Sequence, residues 1–369
     1  MGLSRYKLGE LIEQRREKNC NIEDLIIRGV SREGFIKPKQ IDADTSIYNV
    51  FYKKDFVFNP ARMELNSIAL NLNFEKAICS SLYEVFYVTR TDMLLPEYLN
   101  LIIKRDEFAR RCWFEAIGSA RNYFRVVNLS EFYIDLPPLA IQQKYVNVYN
   151  AMVANQKAYE RGLEDLKLTC DAYIEDLRRR IPCEAIGPYI ERHDVRNGPN
   201  GTKNVMGVST TKEFREPTSK VNRNDLANYK VVKPRQISFV QTTHNEKVFC
   251  NALNTTDEDI VVTSVNEVFS TNENKLLPEY LVMFFNRTEF DRYARYHSWG
   301  SARETFTWDD LVKVQIPIAD MEVQRSIVDI YTVYKKRKAI NEKLKAQIKA
   351  ICPILIKGSI EEGSNTKEA

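Results

Sequence analysis

Several kinds of chemistry have no foothold in this chain of 369 residues. Its seven cysteines are odd in number and never form C-x-x-C, and its three histidines (His193, His244, His297) are scattered. Free thiols in a reducing cytoplasm are therefore expected, with no disulfide framework and no metal ligands. No stretch nears the ~18 consecutive apolar residues of a membrane span, and the opening MGLSRYKLGELIEQRR is too polar for a signal peptide. Tyr6 breaks the myristoylation pattern. Glycine is scarce, at 13, and no G-x-x-x-x-G-K-[ST] loop signals an ATP motor. A methyltransferase would need a glycine-rich cofactor loop and an Asn/Asp-Pro-Pro-aromatic segment; the nearest string, Asn59-Pro60-Ala61-Arg62, lacks the second proline and the ring. No carboxylate–lysine cluster or nucleophile–histidine arrangement stands out, so no catalytic residue is assigned. Excess charge is missing too. Lys+Arg 54 against Asp+Glu 50 leaves +4, and a nucleic-acid partner would have to be held by local patches.

What is present is said twice. The string LLPEYL at Leu94–Leu99 returns 182 residues later at Leu276–Leu281, and GSAR at Gly118–Arg121 returns after the same interval at Gly300–Arg303. Phe108 and Phe124 have counterparts in Phe290 and Phe306 at that interval. Gly29-Val30-Ser31 is answered by Gly207-Val208-Ser209, and Leu136-Pro137 by Ile316-Pro317. So many markers in one order establish a tandem duplication. The copies agree closely from LLPEYL onward and hardly at all before it. The contrast reads as one part of the unit doing the same job twice and the other doing two different jobs, the alternative being drift of duplicated loops.

Each copy ends in a heptad stripe. Tyr145, Tyr149, Met152, Tyr159, Leu163, Leu166, Cys170, Tyr173 and Leu177 form the first, with Gln156 its one polar member. Val323, Ile327, Ile330, Tyr334, Leu344, Ile348, Ile351 and Leu355 form the second, interrupted by Arg337 and Asn341, and Pro353 weakens its last turn. Pairing is expected through Tyr149, Met152, Tyr159, Leu163 and Leu166 on one helix and Ile327, Ile330, Tyr334, Leu344 and Ile348 on the other. A helix over 142–180 would be about 58 Å long. The fold class is α+β: two similar mixed α/β domains separated by two long antiparallel coiled-coil helices, a pseudo-twofold tandem repeat. The expected divisions are a first globular domain over 1–138, a long helix over 139–182, a second globular domain over 183–318, a second long helix over 319–357 and a disordered tail over 358–369. Within the domains, Asp55–Phe58, Glu84–Thr89, Gln236–Gln241 and Ile260–Val265 read as strands.

Just after each Gly-Val-Ser the local balance turns basic. These polar stretches suit phosphate contact and base-edge hydrogen bonding. In the first copy the candidates are Arg28, Ser31, Arg32, Lys37 and Lys39, joined by Asn59 and Arg62. In the second they are Ser209, Thr210, Thr211, Lys212, Arg215, Lys233 and Arg235, joined by Gln241, Thr242 and His244. The GSAR strings add Ser119, Arg121, Ser301 and Arg303, where backbone N–H groups beside a guanidinium could clamp a phosphate or simply end a helix.

LLPEYL, a phenylalanine, GSAR and Leu-Pro-Pro-Leu, with Gln142-Gln143 leading into a long helix, resemble the specificity subunits of type I restriction–modification systems. The second copy repeats the order through Ile316-Pro317-Ile318 and Gln324-Arg325, but Ala319-Asp320-Met321 departs from the pattern. The resemblance implies a non-catalytic bacterial or archaeal cytoplasmic DNA reader. Each domain would contact one half of a split, asymmetric double-stranded target. The helices would serve as a ruler and as the dock for two modification subunits. It places S-adenosylmethionine in those subunits, and ATP and Mg in a restriction subunit, with no cofactor in this chain. A recognition subunit of another multi-subunit restriction–methylation system, or a protein scaffold without a DNA role, are the competing readings.

Overall fold

The computed structural model describes residues 2–38, 41, 44–116, 123–199, 201–218, 220–242, 248–300 and 304–365. They form two compact units, Met1–Ala158 with Asn341–Ala369, and Tyr159–Ile340. In the first unit β1 (Ser4–Lys7), β2 (Ile12–Arg15), β3 (Gly29–Ser31), β4 (Gly34–Ile36), β5 (Asn49–Tyr52), β6 (Phe56–Phe58), β7 (Ile68–Leu70), β8 (Lys76–Cys79) and β9 (Glu84–Val88) precede the helices α1 (Pro96–Ile103), α2 (Asp106–Glu115) and α3 (Val126–Ser130). Strand β10 (Tyr133–Leu136) then pairs antiparallel with β1 and leads into α4 (Leu139–Arg180). A four-stranded sheet, β2-β9-β6-β7, divides the unit's core. Phe56, Phe58 and Phe86 pack on the helical side with Tyr98, Leu99 and Leu129. Val57, Val85 and Ala69, one residue out of phase, pack on the other side with Val30, Phe51 and Ala77. A strand covered on both faces has no polar face to show, which is why Phe56-Val57-Phe58 reads as continuous apolar sequence.

The second unit repeats the plan with β11 (Cys183–Ala185), β12 (Ile190–His193), β13 (Gly207–Val208), β14 (Phe214–Arg215), β15 (Lys230–Val232), β16 (Ile237–Val240), β17 (Asn251–Leu253), β18 (Ile260–Val262) and β19 (Asn266–Thr271). Helices α5 (Pro278–Phe285), α6 (Thr288–Tyr296) and α7 (Trp308–Leu311), strand β20 (Gln315–Pro317) and helix α8 (Met321–Asn365) follow. Its sheet order, β12-β19-β16-β17, matches that of the first unit strand for strand. The residue pairing agrees as well: Phe58 faces Glu84, and Phe239 faces Glu267. The two first halves, so unlike in sequence, therefore share one backbone plan.

The LLPEYL strings owe their persistence to the frame. Leu94 and Leu276, Tyr98 and Tyr280, and Leu99 and Leu281 are all fully buried. Pro96 and Pro278 open α1 and α5, where a missing N–H is harmless. Glu97 pairs with Lys54 (3.5 Å) and Glu279 with Arg235 (2.8 Å), each cation lying at a left-handed turn residue (φ 72° and 66°) just before β6 or β16. Two buried glutamines complete the joint. Gln142 accepts from the Leu95 N–H (3.0 Å) and donates to the carbonyls of Met93 (2.8 Å) and Pro137 (2.9 Å). Gln324 accepts from Leu277 (2.9 Å) and donates to Lys275 and Ala319 (both 2.7 Å). The departure at Ala319-Asp320-Met321 thus leaves this turn intact, because the bond is to a backbone carbonyl that any residue supplies.

Helices α4 and α8, of 42 and 45 residues, pack on each other. In the first unit the start of α4 meets the end of α8, with Lys144 paired to Glu362 (2.8 Å). Deeper in that unit's seam, Gln156 donates to Asn341 (3.0 Å), both buried. Two of the three polar interruptions of the stripes, Gln156 and Asn341, thus meet. In the second unit Ile174, Leu177 and Ile327 share one core. That pairing makes the helices antiparallel. Leu163 is buried, and Met152, Tyr159, Leu166, Ile330, Tyr334, Leu344 and Ile348 are half-buried, as is Tyr149 against the first unit's core. Two differences from expectation stand out. Tyr173 is 36% exposed while Ile174 is 1% exposed, because a 3.6-residue helix drifts against a 3.5-residue stripe. Residues 358–365, expected as part of a tail, continue α8 instead, held by the buried hydroxyl of Ser359 against that of Tyr98 (2.6 Å). Pro353 sits inside this helix.

Candidate nucleic-acid interface

Three stretches far apart in sequence come together in each unit. In the first, the turn after β3 reaches α2 through Arg32 and Asp106 (2.8 Å). The segment after β6 meets the stretch beyond GSAR where the Phe124 N–H donates to the Pro60 carbonyl (3.0 Å). In the second, Lys212 after β13 pairs with Asp291 of α6 (2.8 Å), and Asp291 also accepts from the Phe249 N–H (2.9 Å). Phe306 donates to the Gln241 carbonyl (2.9 Å), and Thr242 and Trp299 both bridge to Thr305. Gly300 stands beside this small ladder at φ 139°, a conformation that only glycine adopts without strain, which gives the GSAR glycine a structural reason.

Within that frame the candidate side chains fall into two groups. Ser31 is a turn former, its hydroxyl donating to the Gly34 carbonyl (3.3 Å), and Ser209 is buried in the equivalent turn, donating to Glu213 (2.8 Å) and meeting Thr211 (2.7 Å). Thr210 is half-buried beside it. Asn59 accepts from the Ala61 N–H as a helix cap. Arg28 lies over the Phe74 ring (5.0 Å) and donates to the Ile27 carbonyl. Lys212 was expected to reach DNA and instead is buried, held by Asp291 and by the Phe285 carbonyl (2.7 Å), with burial pulling its pKa down. Arg235 likewise is committed to Glu273 and Glu279, which push its pKa up. Gln241 donates to Glu267, a buried carboxylate that also takes Arg192 (2.6 Å) and Lys230 (3.4 Å). A buried carboxylate needs such partners, and it draws in nearby cations before any ligand can.

The exposed remainder is smaller. Lys37, Arg62, Arg215 and Lys233 are exposed and form no ion pair among the described residues, and Thr242 is half-buried at the ladder. Lys39, Ser119, Arg121, His244, Ser301 and Arg303 lie outside the described residues. Sequence reasoning missed a set of exposed rings: Trp113, Phe114 and Tyr123 in the first unit, Tyr296 and Trp299 in the second. A signal was available, since Phe114 and Tyr296 are aromatic at the same 182-residue interval, off the buried face of their helices. Among the described residues no group of three His, Cys, Asp or Glu could hold a metal, and no helix is long and apolar enough to cross a membrane.

Two copies of one sheet-and-helix unit, each extended into a partner for the other's long helix, define a duplicated two-domain protein with an antiparallel helix pair. Residues 188–350, most of the second copy, match the family model of the type I restriction modification DNA specificity domain. The chain is also similar to the S subunit of the type I restriction–modification system from M. genitalium, at 12% identity and a TM-score of 0.62, over 97% of this chain and 96% of that one. It is similar, at 15% identity and a TM-score of 0.53, over 97% and 98%, to a structure from work on complex assembly and conformational transition of the type I R-M system. The HsdS subunit from Thermoanaerobacter tengcongensis covers 97% and 96% at 16% identity with a TM-score of 0.43. No curated protein is significantly similar in sequence. The resemblance read from the repeated motifs is upheld: the chain has the specificity-subunit fold, and residues 188–350 match the family's domain model.

Proposed function

We propose that this chain is the DNA-recognition subunit of a type I restriction–modification complex, that each unit reads one half of an asymmetric two-part target, and that the long helices dock two modification subunits. One observation carries the reading. The duplicated frame is held by the same contacts twice, while the side chains it presents differ: Arg62 and Lys37 in one unit, Arg215, Lys233 and Thr242 in the other. A homodimer would read a palindrome; two unlike readers on a repeated frame suit an asymmetric site. Catalysis belongs to the partners in this reading, with S-adenosylmethionine in the modification subunits and ATP and Mg in a restriction subunit, all in the cytoplasm.

The test exchanges residues 1–138 for those of a relative with another target and maps methylation in cells carrying the chimera. One half of the methylated motif should change while the other half stays. A motif altered in both halves would refute independent readers, and no motif in cells with or without the gene would refute the recognition role.

A further inference from the structure

We infer that the exposed rings flanking GSAR in each unit, Phe114 with Trp113 in the first and Tyr296 with Trp299 in the second, stack on base steps of the half-site that unit reads. The inference rests on the recognition role proposed above and names the contact by which it is exercised. Phe114 is 79% exposed and Tyr296 81%, at equivalent positions in the last turn of α2 and α6, and Trp299 is 75% exposed. Elsewhere the same two helices bury their apolar residues: Phe108 and Cys112 in one, Phe290 and Ala294 in the other. The exposed rings therefore lie off the core-facing stripe, in both copies.

Their surroundings favour a nucleic acid over a protein face. Arg110 in α2 and Arg295 in α6 are exposed and form no ion pair among the described residues, and the Arg111 guanidinium lies over the Phe132 ring (3.8 Å). Rings interleaved with unpaired guanidinium groups fit bases between phosphates. Position supports the same partner. Trp299 is bridged to Thr305, which is bridged in turn to Thr242, so the ring stands beside the strand end that carries the reading side chains. In the first unit Tyr123 adjoins Phe124, whose N–H is bonded to Pro60 in the equivalent segment. Rings held on a packed helix end and a closed ladder are rigid enough to unstack or wedge a base step.

The experiment uses the full chain assembled with its modification subunits and a duplex carrying the motif assigned by methylation mapping, with 2-aminopurine placed in one half-site or the other. Phe114→Leu and Tyr296→Leu should each weaken binding to that duplex by about ten-fold or more, and each should abolish the 2-aminopurine fluorescence change in one half-site only. Phe114→Tyr and Tyr296→Phe, which keep a ring, should retain both signals. Unchanged affinity and fluorescence in the leucine variants, or loss of assembly with the modification subunits in place of loss of DNA binding, would overturn the inference. A wild-type complex that fails to prefer the mapped duplex over a scrambled one would remove the recognition role itself, which is a separate failure.

Discussion

Single side chains decide how the two copies hold together. Gln142 and Gln324 each satisfy one backbone donor and two carbonyls at a buried joint, a task no apolar residue of the same size can take over. Gln142→Leu strands three polar groups, and at ~1–3 kcal/mol for each the loss should be at least about 3 kcal/mol. Urea unfolding of the full chain should show it, and Gln324→Leu should produce a similar loss through the other unit. A loss under 1 kcal/mol in both would mean that water replaces these bonds freely. The same scale explains the misplaced cations. Lys212 and Arg235 sit in basic stretches that look solvent-facing in sequence, but Asp291, Glu273 and Glu279, between 38 and 79 residues away along the chain, claim them. Only the fold brings such partners within 4 Å, so composition around a lysine says little about whether it is spare.

Among elements, the long helices were the most legible. Their stripes run through consecutive turns of one helix, and local periodicity carries the whole signal. The seam's polar layer was visible as two interruptions, Gln156 and Asn341, but not as a pair. Their hydrogen bond gives the antiparallel register a preferred setting, since sliding by a turn would leave both amides buried without each other. Gln156→Leu or Asn341→Leu alone should cost about 1–3 kcal/mol by removing this bond between two buried amides, whereas the double variant should recover most of that loss. A thermal-unfolding double-mutant cycle with strictly additive effects would show that the two amides do not act together. Strands were read well where both faces are buried, as at β6 and β9. They were missed where a two-residue pair such as β13 with β14 depends on a turn that the sequence does not announce.

For the whole molecule, duplication has one large consequence: each helix ends the copy that it belongs to and completes the core of the other. Ile356 and Leu355 of α8 pack with Phe56 and Tyr98, while Ile174 and Leu177 of α4 pack with Phe239 and Tyr280. If the helix pair sets the separation of two DNA contacts, one heptad inserted into both helices should lengthen it by about 10 Å. The unread gap in the methylated motif should then widen by about 3 base pairs. A heptad in one helix alone should destabilise the protein, because the seam falls out of step. A motif unchanged by the paired insertion would remove the ruler from the account.

The amino-acid order alone determined the doubling, the two helices and the strands buried on both faces, since repetition and periodicity are properties of the chain read in line. The tertiary structure alone decided which cations are spent on carboxylates, which polar stretches converge beside α2 and α6, and that two unlike first halves share one strand plan. Burial and ion pairing are settled between residues distant in sequence, and no local pattern records them.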